Sequence, residues 1–264
     1  MDISDSYALL QSSQRLRVSD GQMQPILADC QGSRVLLLVW PQLGDFDSLE
    51  YAWWIQREQA TLAALNLTVR AVGIGNQASG QAFCQYTHFP SDALYVDPTG
   101  SLHQQLGLYR GLAVKLPGLS GGQTGWLNLM LMCAGIASPG TLAEVLRGYT
   151  GDRRAPQLIA DQDEIHAKPL PPLRGSFFGW AGGKGFQRPF ELATLRLRNM
   201  AEVLSHWSTY VPDASHLPQR GGTFLLNEQG QLLYHHRDPG ILGFAADKSR
   251  PLSFLEQVRW ETSA

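Results

Sequence analysis

Asp45, Asp47 and Ser48 stand together in Gly44-Asp-Phe-Asp-Ser48, directly after an apolar run that ends at Trp40-Pro41. Two carboxylates beside a hydroxyl admit two readings. One is a polar pocket or a cation-binding pair, with Ser48 as a nucleophile if a base reaches it; His235 and His236 are loose candidates for that base. The other is a well-capped helix start, where Asp and Ser accept hydrogen bonds from the first free backbone N–H groups. His235-His-Arg-Asp238 has the composition of a metal or acid-base cluster. Neighbours on a regular strand point to opposite faces, so the two histidines cannot chelate one ion together.

Three cysteines, Cys30, Cys84 and Cys133, form no C-x-x-C pair, and their odd number argues against a secreted disulfide framework. Cys84, between Phe83 and Gln85 and close to Tyr86, reads as a small packing residue. Cys133 lies in Trp-Leu-Asn-Leu-Met-Leu-Met-Cys-Ala, a stripe with a buried texture, whereas Cys30 precedes the first core strand and is expected nearer the surface. Gly179-Trp-Ala-Gly-Gly-Lys-Gly lacks the spacing and the terminal Ser or Thr of a phosphate loop. Its surroundings, Phe177, Phe178, Trp180 and Phe186 with Arg174, Lys184 and Arg188, make an aromatic and basic loop that reads either as a docking edge for a protein or membrane surface or as a loop packed on its own domain.

The elements that would hold these residues are legible in outline. Arg34 to Trp40 is an unbroken β-rich run, the pattern of a strand covered on both faces. A helix is expected from Asp47 or Ser48 to Leu65, with Glu50 in its first turn where the dipole favours a negative charge. Leu67 to Ile74 is a second strand, Asn76 to Tyr86 a second helix and Ala93 to Val96 a third strand. Strands alternating with helices imply parallel pairing. Gly222 to Asn227 and Gln231 to Arg237, joined by Glu-Gln-Gly, read as a hairpin that completes the sheet on its antiparallel side, with a last helix after Pro251.

Residues from about 113 to 217 have a different texture: a Gly-rich turn at 118–125, an apolar helix from Trp126, a helix from Thr141 to Arg147, the Pro-rich link at 168–173 and a helix from Phe190 to about Trp207. They are expected to form a mainly helical insertion without strands, inside a single α/β domain spanning 1–264.

With 264 residues, 44% hydrophobic and 17% charged, the chain has the composition of a globular domain. A net charge of -2 leaves no basic excess to draw it onto nucleic acid. The apolar runs at 35–40 and 126–137 fall short of the ~20 residues a spanning helix needs. The first twenty residues have no signal-peptide pattern, so a cytoplasmic location is expected. No cofactor or metal motif is found, and the expected partner is a protein.

The strand ending at Trp40, the turn at Gly44, the helix after it and the Val72 to Gly75 strand end together resemble a thioredoxin-like protein. With Phe89-Pro-Ser-Asp-Ala-Leu-Tyr-Val-Asp-Pro, Leu106-Gly-Leu-Tyr-Arg-Gly111 and the segment from Arg220 to Asp238, the chain more narrowly resembles the peroxiredoxin-like AhpC/TSA antioxidant family over 34–112 and 218–258. The helical insertion and Gly240-Ile-Leu-Gly-Phe244 are similar to the branch of cyanobacteria and plastids. That likeness implies a partner in the photosynthetic apparatus and a location at the periphery of the thylakoid membrane.

The resemblance also implies a thiol that is missing. Members that do thiol chemistry carry Gly-Cys-x-x-Cys at this turn, because a helix N-terminus lowers the pKa of a thiol. Aligned on Gly44, the two cysteine positions hold Asp45 and Ser48. The peroxiredoxin pattern counted from Pro41 leads to the same two residues. The expectation is a redox-inactive binding, assembly or regulatory factor in which Arg220, brought against the turn by the fold, pairs with Asp45. The competing expectation is a thiol-dependent peroxidase or oxidoreductase using Cys84 or Cys30 with an external thiol.

Overall fold

The computed structural model describes residues 3–258 and residue 260. The N-terminal segment, for which the sequence offered no element, holds helix α1 (Ile3–Ser12) and two short strands, β1 (Gln14–Arg17) and β2 (Met23–Pro25). The apolar run forms β3 (Arg34–Gln42), followed by α2 (Phe46–Arg57) and α3 (Gln59–Ala64), so the single helix expected over 47–65 is broken at Glu58. Then come β4 (Leu67–Ile74), α4 (Gln77–Thr87), β5 (Leu94–Val96) and α5 (Ser101–Gln105).

Between α5 and the C-terminal hairpin lie α6 (Gly121–Cys133), α7 (Thr141–Thr150), β6 (Glu164–Ile165), β7 (Leu173–Arg174), α8 (Glu191–Ser205) and α9 (Trp207–Tyr210). Two expectations fail here. The segment does have strands, since β6 and β7 pair antiparallel as a two-residue ribbon. Gly121 to Gly125, expected as a turn, is helical because Ser120 and Gln123 form a reciprocal capping box. The chain ends with β8 (Gly222–Leu226), β9 (Leu232–Arg237) and, in place of the helix expected after Pro251, a 3-10 turn at Ser253–Glu256.

Seven strands form one mixed sheet in the order β2-β1-β5-β4-β3-β8-β9. The β3–β4 and β4–β5 pairs are parallel; β8 lies antiparallel to β3, and β9 antiparallel to β8. This is the mixed α/β, thioredoxin-like arrangement expected from the sequence. Strand β3 is central, and its alternation divides the core. Leu36, Leu38 and Trp40 face the layer of α2 and α4, while Val35, Leu37 and Val39 face Leu10, Ile26, Tyr95 and Leu102. Burial on both faces explains the unbroken apolar run, and truncating a residue such as Leu37 to Ala should cost about 2–5 kcal/mol.

Candidate functional site

The turn between β3 and α2 lies at the carboxyl ends of the parallel strands. Asp45 is the N-cap of α2, its carboxylate accepting from Asp47 N–H at 3.0 Å. Ser48 is fully buried and donates to Gln42 C=O at 2.9 Å. The turn is covered: a side chain at Gly44 would meet Val211 Cγ2 at 2.9 Å and Tyr210 Cβ at 3.0 Å.

Arg220, wholly buried just before β8, is directed at the turn by its own neighbours. Its backbone N–H donates to Tyr109 C=O, while Nε donates to Pro218 C=O at 3.0 Å and Nη2 to Leu217 C=O at 2.6 Å. Nη2 also reaches Asp45 Oδ2 at 2.8 Å, and Nη1 lies 3.5 Å from Asp47 Oδ2. A third buried carboxylate joins from the end of β9. Asp238 Oδ2 accepts from Gly221 N–H at 3.0 Å, and His236 Nε2 lies 3.8 Å from Oδ1. Gly221 must be glycine: a Cβ there would lie 2.2 Å from Val39 C=O.

One arginine faces three buried carboxylates, and the electrostatics follow. Burial pushes Asp47 well above the usual carboxylate range; the Asp45 charge adds to the shift and Arg220 opposes it. Burial also raises Asp238 to about 7 against the opposing pull of Arg220. For Arg220 burial alone would lower the pKa, but the charges of Asp45 and Asp47 outweigh it and hold the guanidinium more firmly protonated. Among the described residues Asp47 Oδ1 and Asp238 Oδ1 are buried without a hydrogen-bond partner.

The arrangement gives Ser48 no base. His236 Nε2 is bonded to Gly243 C=O at 2.7 Å, and His235 points to the exposed face of β9, as strand alternation requires. Among the described residues no group of three or more His, Cys, Asp or Glu could hold a metal ion.

The cysteines fall elsewhere than expected. Cys30, expected near the surface, is buried under Leu27 and Val35, and burial raises its thiol. Cys84 is half-buried against the α2–α4 core, where burial pushes its thiol up to about 12. Cys133, expected buried, is exposed at the C-terminal end of α6. Its thiol is raised chiefly by burial of its immediate surroundings, and the charges of Asp45, Arg220 and Asp47 bear on it as well.

The aromatic loop divides. Trp180 is 77% exposed and Phe177 47% exposed, their rings edge to face at 5.4 Å, and Lys184 is exposed beside Asp161 at 2.9 Å. Phe186 is half-buried. Phe178 and Arg188 belong to the interior rather than a docking edge. Phe178 packs with Ile159 and Leu195, and Arg188 is fully buried, with Nη2 2.6 Å from Glu191 Oε1. The 3-10 turn at Gly175–Ala181 sends consecutive phenylalanines to opposite sides.

A family model described as AhpC/TSA antioxidant enzyme matches residues 54–187, half of the chain. The match begins inside α2, beyond the Asp45–Ser48 turn, and runs through 113–187, a stretch outside the segments on which the sequence resemblance rested. No curated protein matches the chain. Among solved structures, the crystal structure of peroxidoxin BcpB from Mycobacterium tuberculosis is similar at 11% identity, over 94% of either chain, with a TM-score of 0.45.

Proposed function

The chain belongs to the AhpC/TSA antioxidant enzyme family, and from that premise we propose that it is a redox-inactive member acting as a binding, assembly or regulatory factor. The observation that carries this reading is the ion pair between Asp45 and the buried Arg220 at the start of α2. A thiol enzyme of this architecture needs a thiolate at an open helix start, where the dipole and a nearby cation stabilise it. Here the cation is matched by carboxylates, Ser48 is bonded to backbone, and Tyr210 and Val211 close the turn. The positive field that would activate sulfur holds Asp45 instead.

Binding is assigned to the exposed edge of the aromatic loop, Phe177 and Trp180 with Lys184, because large aromatics on the surface have an apolar area to cover. The likeness to cyanobacterial and plastid proteins makes a complex of the photosynthetic apparatus, at the thylakoid periphery, the first class of partner to test. Against the peroxidase reading, Cys30 and Cys84 are raised by burial, which keeps them as unreactive thiols. The exposed Cys133 is the thiol on which that alternative would have to stand.

Two assays test the proposal. Peroxide consumption with an external dithiol is expected to stay at the level of the dithiol alone; turnover that vanishes when one cysteine becomes Ser overturns it. Affinity capture from the native cell should yield a partner that Phe177→Ser with Trp180→Ser releases, leaving the thermal melt nearly unchanged.

A further inference from the structure

The loop after α5 and the first turns of α6 enclose a cleft of about 610 Å³ that the turn at Asp45 does not use. Its walls are mixed, with neutral polar side chains such as Gln104, Asn128 and Gln219 beside charged and apolar ones. Arg110, Lys115 and His216 supply cationic or protonatable groups, and Leu112, Leu116 and Leu119 supply an apolar surface. Leu116 is 51% exposed, so this surface is open to a ligand. Among the described residues no carboxylate lines the cleft, and Arg110 and Lys115 make no ion pair. The nearby Asp213 faces His216 at 3.6 Å.

The fold explains why a cleft forms here. Helix α6 packs on the 3-10 turn Ala214–His216 through glycine: a Cβ on Gly125 would lie 2.0 Å from Ala214 C=O. This close approach absorbs the Gly-rich segment 118–125 and sets the N-terminus of a thirteen-residue helix at the cleft, adding a positive dipole end to the two cations. The place is also where open α/β sheets receive ligands, outside the carboxyl ends of their parallel strands. Strand β3 ends at Gln42, whose amide donates to Asp213 C=O. Gly100, just beyond β5, packs near His216.

We propose that this cleft is a binding site for a small amphiphilic anion, a phosphate or carboxylate group carried on an apolar body. Arg110 and Lys115 hold the anionic group, and Leu112, Leu116 and Leu119 cover the body. A purely polar anion would leave the leucines wet, and a neutral apolar ligand would leave two cations facing it unpaired; the mixed lining fits a ligand with both parts. The inference does not depend on the redox reading of the Asp45 turn.

The test is titration calorimetry on the full chain at moderate salt with octyl phosphate, octanoate, inorganic phosphate and the neutral octyl glucoside. Octyl phosphate and octanoate are expected to bind at one site, more tightly than inorganic phosphate, with no saturable binding of octyl glucoside. Arg110→Ala with Lys115→Ala should weaken octyl phosphate at least about tenfold, Leu116→Ser should weaken it several-fold, and Arg110→Lys should retain binding. Both basic residues are exposed, so the double variant is expected to melt like the wild type. Equal binding of octyl glucoside, or octyl phosphate binding unchanged in the double variant, overturns the proposal. Capture by vesicles containing phosphatidylglycerol with no binding of the soluble amphiphiles also overturns it, because the surface would then recognise a membrane and not a small molecule.

Discussion

Arg220 Nη2 stands 2.8 Å from Asp45 Oδ2, so a residue just before β8 closes the N-terminus of α2 across 175 positions of chain. Removing one partner of a buried pair leaves the other charge unsolvated, which costs more than the pair contributes. Arg220→Met is therefore expected to destabilise the protein by about 3–5 kcal/mol in urea unfolding. Asp45→Asn added to Arg220→Met should recover part of the loss, since it removes the carboxylate left behind. A loss within about 0.5 kcal/mol for Arg220→Met, typical of surface changes, would mean that the guanidinium does not hold the turn.

Asp238 and His103 contribute to the pH dependence of stability with opposite signs. Asp238 titrates at about 7 in the folded chain because burial disfavours its charge, against the ordinary carboxylate value near 4 in the unfolded chain. The folded state thus binds the extra proton between these values, and Asp238 favours folding increasingly as pH falls from about 7 to about 4. His103 does the reverse. Fully buried with Nε2 2.8 Å from Trp40 C=O, it is lowered by burial to about 4. Its contribution is present above the unfolded value near 6.5 and is lost as pH falls through about 4.

These slopes offset each other in the wild type over that window. Asp238→Asn keeps an acceptor for Gly221 N–H but abolishes one slope, so the variant should lose stability on acidification more steeply than the wild type. The gap between the two should change by on the order of 3 kcal/mol between pH about 8 and about 4. Parallel profiles from urea unfolding across that range would show that Asp238 is ionised in the fold at neutral pH.

What the sequence disclosed was what local pattern determines. The run Arg34 to Trp40 and the Glu-Gln-Gly connection carry their structure in consecutive residues, and both reappear as β3 and the β8–β9 hairpin. Strands β1 and β2 were not legible, because four and three residues with mixed exposure at a sheet edge have no periodicity to read. The role of Asp238 was equally hidden: its partner Gly221 N–H lies 17 residues away and arrives only through sheet pairing. Cys133 was misplaced for a different reason. From Trp126 to Cys133 nearly every side chain is apolar, so nothing in the pattern says which face of α6 turns inward; Met132 does so and Cys133 does not.

Thiol labelling should follow that placement. At mildly alkaline pH, iodoacetamide is expected to modify Cys133 first, because it is the exposed cysteine at the end of α6. Cys84, pushed up to about 12 by burial, and the buried Cys30 should require denaturant. Peptide mass spectrometry after timed quenching reads the order directly. Labelling of Cys84 ahead of Cys133 in the folded protein would contradict the packing of α4 on α2.

The proposal of a lost thiol site rests on Asp45 and Ser48 occupying the two positions of a redox pair, and restoring that pair tests it. Asp45 is the N-cap of α2 and Ser48 lies three residues on, so cysteines at both places share the opening turn of one helix. In Asp45→Cys with Ser48→Cys, made with Cys30, Cys84 and Cys133 replaced by Ser, the first sulfur would meet Arg220 and the helix dipole, both of which favour a thiolate. Mild diamide treatment should then remove both free thiols and lower the mass by about 2 Da, the two hydrogens lost when a disulfide forms. Arg220→Met in the same background should raise the pKa of the first thiol, followed by thiolate absorbance in the ultraviolet, and slow the oxidation. If the pair stays reduced while the fold persists, residues 45 and 48 do not share the geometry of a redox turn. The absence of sulfur there would then say nothing about what the protein has lost.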